Sequence, residues 1–196
     1  MKQQQQQQTR IITEIAIMVA IALVFDVIAG LFSPFKYGGS ISPAMLPIFF
    51  VAYRRGLKPG LVAGFLFGIL QALLAEALGY GVFAYIIDNG WWKFMLMFLL
   101  DYGVAFTVLG FAGLFKNALT DRKSFILGIA LGSFLRYLSH SFSGVLIWSY
   151  YADLANMNPW FYSFIAYNLP YMAASFIFCL VVGLVFFERR LLNYNL

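Results

Sequence analysis

The sequence predicts an all-α membrane protein of six transmembrane helices with both termini cytoplasmic. Three observations predict it. The 196 residues are 62% hydrophobic and 19% aromatic but only 11% charged, whereas a soluble domain carries about 25% charged residues. The apolar residues fall into runs, most of them near the ~20 residues that a helix needs to cross a ~30 Å hydrocarbon core. The bases gather on alternate loops, which fixes orientation by the positive-inside rule. The net charge of +5 therefore bears on topology, and no nucleic-acid partner is expected.

The elements follow in order. "MKQQQQQQ" has no apolar content to bury, so residues 1–8 are expected to be a disordered polar tail and residues 9–196 a single six-helix transmembrane substrate-binding domain. The run from Ile11 to Phe32 is long enough to span and lacks an A-x-A-like cleavage site, so it is helix one and not a signal peptide. Further spans are Ile41 to Tyr53, Gly60 to Tyr80, Trp91 to Phe115, Phe125 to Tyr151 and Trp160 to Phe187. The breaks between them, such as "SPFKYGGS", "RRGLKPG" and "KNALTDRKS", are rich in Gly, Pro, Asn and charge. Lys2, Arg10, Arg54, Arg55, Lys58, Lys116, Arg122, Lys123, Arg189 and Arg190 all fall at the termini or in the second and fourth loops. Those loops are cytoplasmic, and Trp91, Trp92, Trp148 and Trp160 suit the outer interface.

The second span is short. Its 13 residues, Ile41 to Tyr53, cover roughly 20 Å as a helix. Either the chain before it folds over an outward-facing recess or the bilayer boundary is locally tilted or thinned.

Counting from helix ends places the polar residues within the outer half. Asp101 lies about 15 Å below Trp91 and Asn168 about 12 Å below Trp160, while Arg136 is near the midplane with His140 roughly 6 Å further out. On helix five, His140, Gly144 and Trp148 are spaced i, i+4, i+8 and share a face that Ser133, Arg136 and Tyr137 continue inward. Ionisable groups within a membrane default to function, yet each has a structural reading. Arg136 and Asp101 have matching depths for an ion pair that pins helices four and five, and His140 could serve as an interhelical hydrogen bond. Glu14, near the cytoplasmic end, is expected to snorkel to the interface, and Asp26 and Glu76 could do the same at the outer end.

Enzyme chemistry finds no support. "HSFSG" places a histidine and two serines on one helix at spacings that build no dyad. There is no Walker sequence, and one histidine and one cysteine, Cys179 inside an apolar run, make neither a metal site nor an internal disulfide. So many large aromatics in the outer half argue for a closed pocket and against a water column. The chemistry best matched is binding of a small, flat, cationic molecule. Asp101 would offset its charge, Trp148, Tyr102 and tyrosines near Asn168 would stack on it with cation–π attraction of about 0.5–2 kcal/mol each, and Asn168 would orient it.

These stretches resemble a known family. "TEIAIMVAIA", "GGS" before the short helix, "YRRGLKPGLVAGFLFGI", "LLDYGVAFTVLGFAGLF", "LRYLSHSFSGVLIW" and "YSFIAYNLPYM" are similar to the thiamine-specific S-component, the substrate-binding membrane subunit of energy-coupling factor (ECF) transporters. The resemblance implies a six-helix fold in the bacterial plasma membrane with an outward thiamine pocket formed by helices four to six and capped by the first outer loop. It implies Asp101, Tyr102, His140, Trp148 and Asn168 as ligand contacts. Tyr162 precedes Asn168 by six residues where the family pattern has five, so Tyr162 and Ser163 are both open as the facing residue. Phe35 and Tyr37 are both candidates for the aromatic lid. The partners implied are a transmembrane coupling subunit and two ATPase subunits, with no cofactor. Ala16 and Ala20, a small-xxx-small pair on helix one, permit either close docking of the coupling subunit or packing within the chain. The competing readings are an S-component for another vitamin and a stand-alone secondary transporter or channel.

Overall fold

A chain this apolar must satisfy its backbone within its own segments, which leaves helices as the solution. The computed structural model describes residues 2–34, 40–79, 83 and 90–193, and every regular element among them is helical. We label them α1 (Lys2–Leu31), α2 (Met45–Arg55), α3 (Leu57–Ala77), α4 (Trp91–Leu114), α5 (Arg122–Leu146), α6 (Ser149–Leu154) and α7 (Pro159–Glu188). Five of these, α1, α3, α4, α5 and α7, are long and apolar enough to cross a membrane. Their outward side chains, among them Ile17, Val24, Leu66, Leu73, Ile177 and Val181, are exposed hydrophobics suited to lipid.

α2, with 11 residues, is shorter still than the sequence suggested, beginning at Met45 rather than Ile41. It is apolar on every face, and Met45 to Tyr53 are all buried, as a helix without a polar side must be. It forms the centre of the main core, where Ile48, Phe49 and Phe50 meet Ile15 and Val19 of α1, Phe67 of α3, Leu109 of α4 and Phe125 of α5. A single residue, Gly56 at φ +89°, turns the chain from α2 into α3. That left-handed conformation favours glycine.

Three expectations change. The expected disordered tail over residues 1–8 is helical from Lys2 onward, with every tract side chain exposed. Glutamine is a good helix former, and the apolar run behind it supplies the costly nucleus. Helix five ends at Leu146 rather than Tyr151. The Trp148 amide reaches back to the Ser143 carbonyl at 3.4 Å, and Trp148 then opens the short α6. Glu14 does not snorkel. It is 1% exposed and accepts hydrogen bonds from Nε of both Arg54 and Arg55, while Arg54 also donates to the Leu192 carbonyl. A buried carboxylate between two guanidinium groups is satisfied without reaching water.

Helix starts are capped where the sequence allows. Asp121 accepts from the amides of Lys123 (3.4 Å) and Ser124 (2.8 Å) and from the Ser124 hydroxyl (2.6 Å) at the start of α5. The Ser124 hydrogen bonds, hydroxyl first, hold its carboxyl below the usual carboxylate range. Asn158 does the same for α7, ahead of Pro159.

Candidate functional site

Two of the long helices contain π-helical segments, and each of these falls on a stretch singled out by its polar residues. α4 also tightens to a 3-10 helix over its apolar end, Val108–Leu114. In α4, residues Phe98–Val104 form a π-helical segment that contains Asp101 and Tyr102. In α7, Tyr162–Tyr167 form another, ending directly at Asn168. A π turn takes up one residue more than an α turn, so it re-aims the side chains on either side of it. The α4 segment is held from behind by α3. A Cβ built on Gly68 would fall well inside contact of the Tyr102 carbonyl, so the α3 backbone lies directly against this segment.

Asp101 is the hub. Its Oδ2 accepts from the Trp148 indole Nε1 at 2.9 Å, and its Oδ1 lies 3.2 Å from His140 Nδ1. The other ring nitrogen, His140 Nε2, accepts from Arg136 Nε at 3.3 Å. Arg136 and Asp101 are therefore not the direct ion pair their depths allowed, because the imidazole stands between them. Matching depth fixes height along the helices but says nothing about what fills the space across them.

The imidazole is boxed by rings as well. Phe106 and Tyr171 meet it edge-on, with centroids 6.4 and 6.2 Å away. The Arg136 guanidinium lies over the Phe106 ring, 4.4 Å from its centroid, a cation–π contact in a desolvated setting. Nearby, the Ser139 hydroxyl donates to the Leu100 carbonyl at 2.6 Å and ties α5 to the α4 π segment. Trp148 and Tyr102 belong to one small apolar cluster around Met97 and Ile147, separate from the main core.

Asn168 joins α7 to this group. Its Nδ2 donates to the Ser163 carbonyl at 2.8 Å, to Ser163 Oγ at 3.1 Å and to the His140 carbonyl at 3.5 Å, and its Oδ1 accepts from the Tyr171 hydroxyl at 2.6 Å. Ser163 is 1% exposed. It is wedged against Gly144, where a Cβ would collide with its hydroxyl, and it donates to the Ser141 carbonyl at 2.7 Å. Gly144 thus serves the close approach of α5 and α7. Tyr162, in contrast, is half-buried and stacks on Tyr167 at 5.6 Å and 17°, and Tyr167 in turn meets Tyr171 at 6.0 Å.

The structure therefore brings Asp101, His140 and Trp148 into direct contact, Asn168 and Tyr102 beside them, and Tyr162 at the end of a row of tyrosine rings. Tyr37 and Phe35 lie outside the described residues. Ala16 and Ala20 are both exposed on the outer side of α1. At the far end of α3, the Gln71 amide bonds Asp26, which lies within electrostatic reach of Arg136, and Glu76 accepts from the Phe83 amide at 2.8 Å. Both carboxylates have protein partners. Sequence reasoning missed Tyr171, although its i+3 spacing from Asn168 placed it on the same face, and it missed Ser163 as a strut. Among the described residues no group of three His, Cys, Asp or Glu side chains could hold a metal ion.

A carboxylate held by an indole and an imidazole among aromatic rings, in a helical membrane protein, has the chemistry to take a flat organic cation. Residues 12–194 match the family described as Thiamine transporter protein (Thia_YuaJ). The chain belongs to this thiamine transporter family. It is a transporter and not an enzyme, and a multi-pass protein of the cell membrane. It is 36% identical over 189 residues to the thiamine transporter ThiT of Bacillus subtilis, covering 91% of this chain and 90% of that protein. It is 31% identical over 195 residues to ThiT of Lacticaseibacillus paracasei, with 93% and 89% covered. A solved structure of ThiT from Listeria monocytogenes has a TM-score of 0.72 at 26% identity, covering 93% of this chain and 96% of that one. The family expected from the motifs is the family found.

Proposed function

We propose that this chain is the thiamine-binding S-component of an ECF-type vitamin uptake transporter. It would capture thiamine in an outward-facing pocket and deliver it with a transmembrane coupling subunit and two ATPases. In this reading α2 is the sixth transmembrane helix, a short one packed inside the other five, both termini are cytoplasmic, and residues 9–196 form one domain.

The observation that carries the reading is Asp101, held between Trp148 and His140 with its side chain 17% exposed. Its carboxylate offsets a cationic ligand ring, Trp148 and Tyr102 flank the ligand, His140 and Asn168 shape the floor, and Tyr162, rather than the wedged Ser163, faces it from α7. The π segment before Asn168 absorbs the additional residue between Tyr162 and Asn168 relative to the family spacing. Tyr37 is the proposed lid residue. The exposure of Ala16 and Ala20 favours docking of the coupling subunit over packing within the chain.

The reading is tested by heating the purified protein and identifying released small molecules by mass spectrometry. Recovery of thiamine is expected. Recovery of a different vitamin would move the chain to another substrate, and ATP-independent thiamine transport in proteoliposomes holding this chain alone would make it a stand-alone transporter. Ala16→Leu or Ala20→Leu should impair uptake by cells and leave thiamine binding in detergent intact, whereas equal loss of both would place these alanines in internal packing.

A further inference from the structure

We infer that Arg136 is a positioning residue for the thiamine site: its guanidinium keeps His140 Nε2 unprotonated and the ring neutral, turned so that Nδ1–H holds Asp101. The inference rests on the site reading given above. Arg136 lies one turn before His140 on α5 and is 4% exposed. A guanidinium has only donors, so at 3.3 Å from its Nε the His140 Nε2 must offer a lone pair. The proton of the neutral ring then sits on Nδ1, and Nδ1–H donates across 3.2 Å to Asp101 Oδ1. The other tautomer would set a donor against a donor at Arg136 and a lone pair against a lone pair at Asp101. An imidazolium would leave Arg136 Nε without an acceptor and put two cations in contact. The line Arg136–His140–Asp101 therefore has one consistent arrangement of protons, with Trp148 Nε1–H closing the other carboxylate oxygen.

The guanidinium is anchored independently of the ring it directs. It stacks on Phe106, itself 1% exposed, and Phe106 also meets the imidazole edge-on. Among the described residues Arg136 Nη1 is buried with no hydrogen-bond partner. A residue kept only for stability would be poorly chosen here, since a buried guanidinium with an unsatisfied donor is costly. A residue kept for the direction of its Nε tolerates that cost.

His140 is the only histidine in the chain, so protein prepared without a polyhistidine tag gives a single imidazole in a 15N spectrum. The wild-type chain without added ligand should show the neutral ring protonated on Nδ1. In Arg136→Met, Asp101 still accepts from Nδ1–H while Nε2 is freed of the neighbouring donor and cation. Nε2–H should then appear beside Nδ1–H as a doubly protonated ring under conditions where the wild-type ring is neutral, and thiamine should bind about tenfold or more weakly. Arg136→Lys keeps a donor at the same turn and should keep the neutral Nδ1–H form and most of the affinity. A wild-type ring protonated on Nε2, or an Arg136→Met protein that loses affinity with Nε2 still unprotonated, would overturn the inference. Should Arg136→Met not fold, the wild-type and Arg136→Lys spectra still decide, because an Nε2–H ring in either contradicts the proton arrangement. A wild-type protein with the expected tautomer and no affinity for thiamine would overturn the site reading, and the positioning role with it, while leaving the tautomer assignment standing.

Discussion

Among the described residues charge is buried around Glu14 and around Arg136, and the two clusters are built differently. Near the termini, Glu14 meets Arg54 and Arg55, and Arg54 continues to the Leu192 carbonyl. The groups come from the first half of α1, the last turn of α2 and the C-terminal segment, where no helix has to deform to supply them. Glu14 is 1% exposed and both of its oxygens are used. In the opposite half, Asp101, His140, Arg136 and Trp148 come from helix interiors and from a break after α5, and the backbone around them includes two π segments. Asp101 is partly open and Arg136 Nη1 has no partner among the described residues. A cluster that serves only the fold closes its valences. In the proposed function the Asp101 cluster leaves its carboxylate accessible for the ligand and places its cost in irregular backbone.

The difference can be broken from either side. The largest effect is expected at Glu14→Gln, which removes the buried carboxylate from between Arg54 and Arg55 and should cost about 3–5 kcal/mol of stability. A lower melting temperature with near-normal thiamine affinity is expected, and a variant that melts normally would remove this cluster from the core account. Trp148→Phe keeps an aromatic ring but deletes the donor 2.9 Å from Asp101. A hydrogen bond to a charged group is worth about 1.5–3 kcal/mol, so affinity should fall roughly ten- to hundredfold, and much of the ligand-induced quenching of tryptophan fluorescence should go with it. A full-size quench in the variant would place Trp148 away from the ligand.

Gly68→Ala sharpens the role of the π segment. Its Cβ would drive against the Tyr102 carbonyl, an overpacking that costs about 1–3 kcal/mol, and the displaced segment carries Asp101. Affinity should drop more than melting temperature, and the reverse order would show that α3 supports the fold but not the site. The smallest effect is expected at Asp121→Ala, which removes an exposed cap at the other end of α5. Thiamine affinity should not change and melting should fall slightly. Because the folded chain holds the Asp121 carboxyl below its usual range, the cap contributes fully above the unfolded carboxyl value of about 3.9, and that contribution is lost as pH falls through the lower folded value. The wild-type and Asp121→Ala melting temperatures should therefore converge in acid.

Much of this was legible in the sequence because a bilayer imposes strict rules. Composition and run length led to an all-helical membrane chain, and a run too short to span marked α2. Residue type and depth brought Asp101, His140 and Trp148 together. The route for Trp148 was different from the expected one, since no Gly or Pro follows Leu146 to mark the break and the i+8 spacing looked like a continuing helix. The π segments were hidden because one added residue per turn barely disturbs an apolar pattern that has no polar face. Glu14 was misread because its partners lie 40 and 41 residues away, and no local spacing announces them. The imidazole bridge was missed because counting along helices measures height and not lateral order.

The central claim is that Asp101 serves the ligand and Glu14 serves the fold. It is tested most directly by measuring thiamine affinity and ligand-free melting temperature on Asp101→Asn and Glu14→Gln, each on one preparation. The account predicts that Asp101→Asn loses roughly ten- to hundredfold in affinity with little change in melting, and that Glu14→Gln does the opposite. An Asp101→Asn protein that melts early yet binds thiamine almost normally would contradict it.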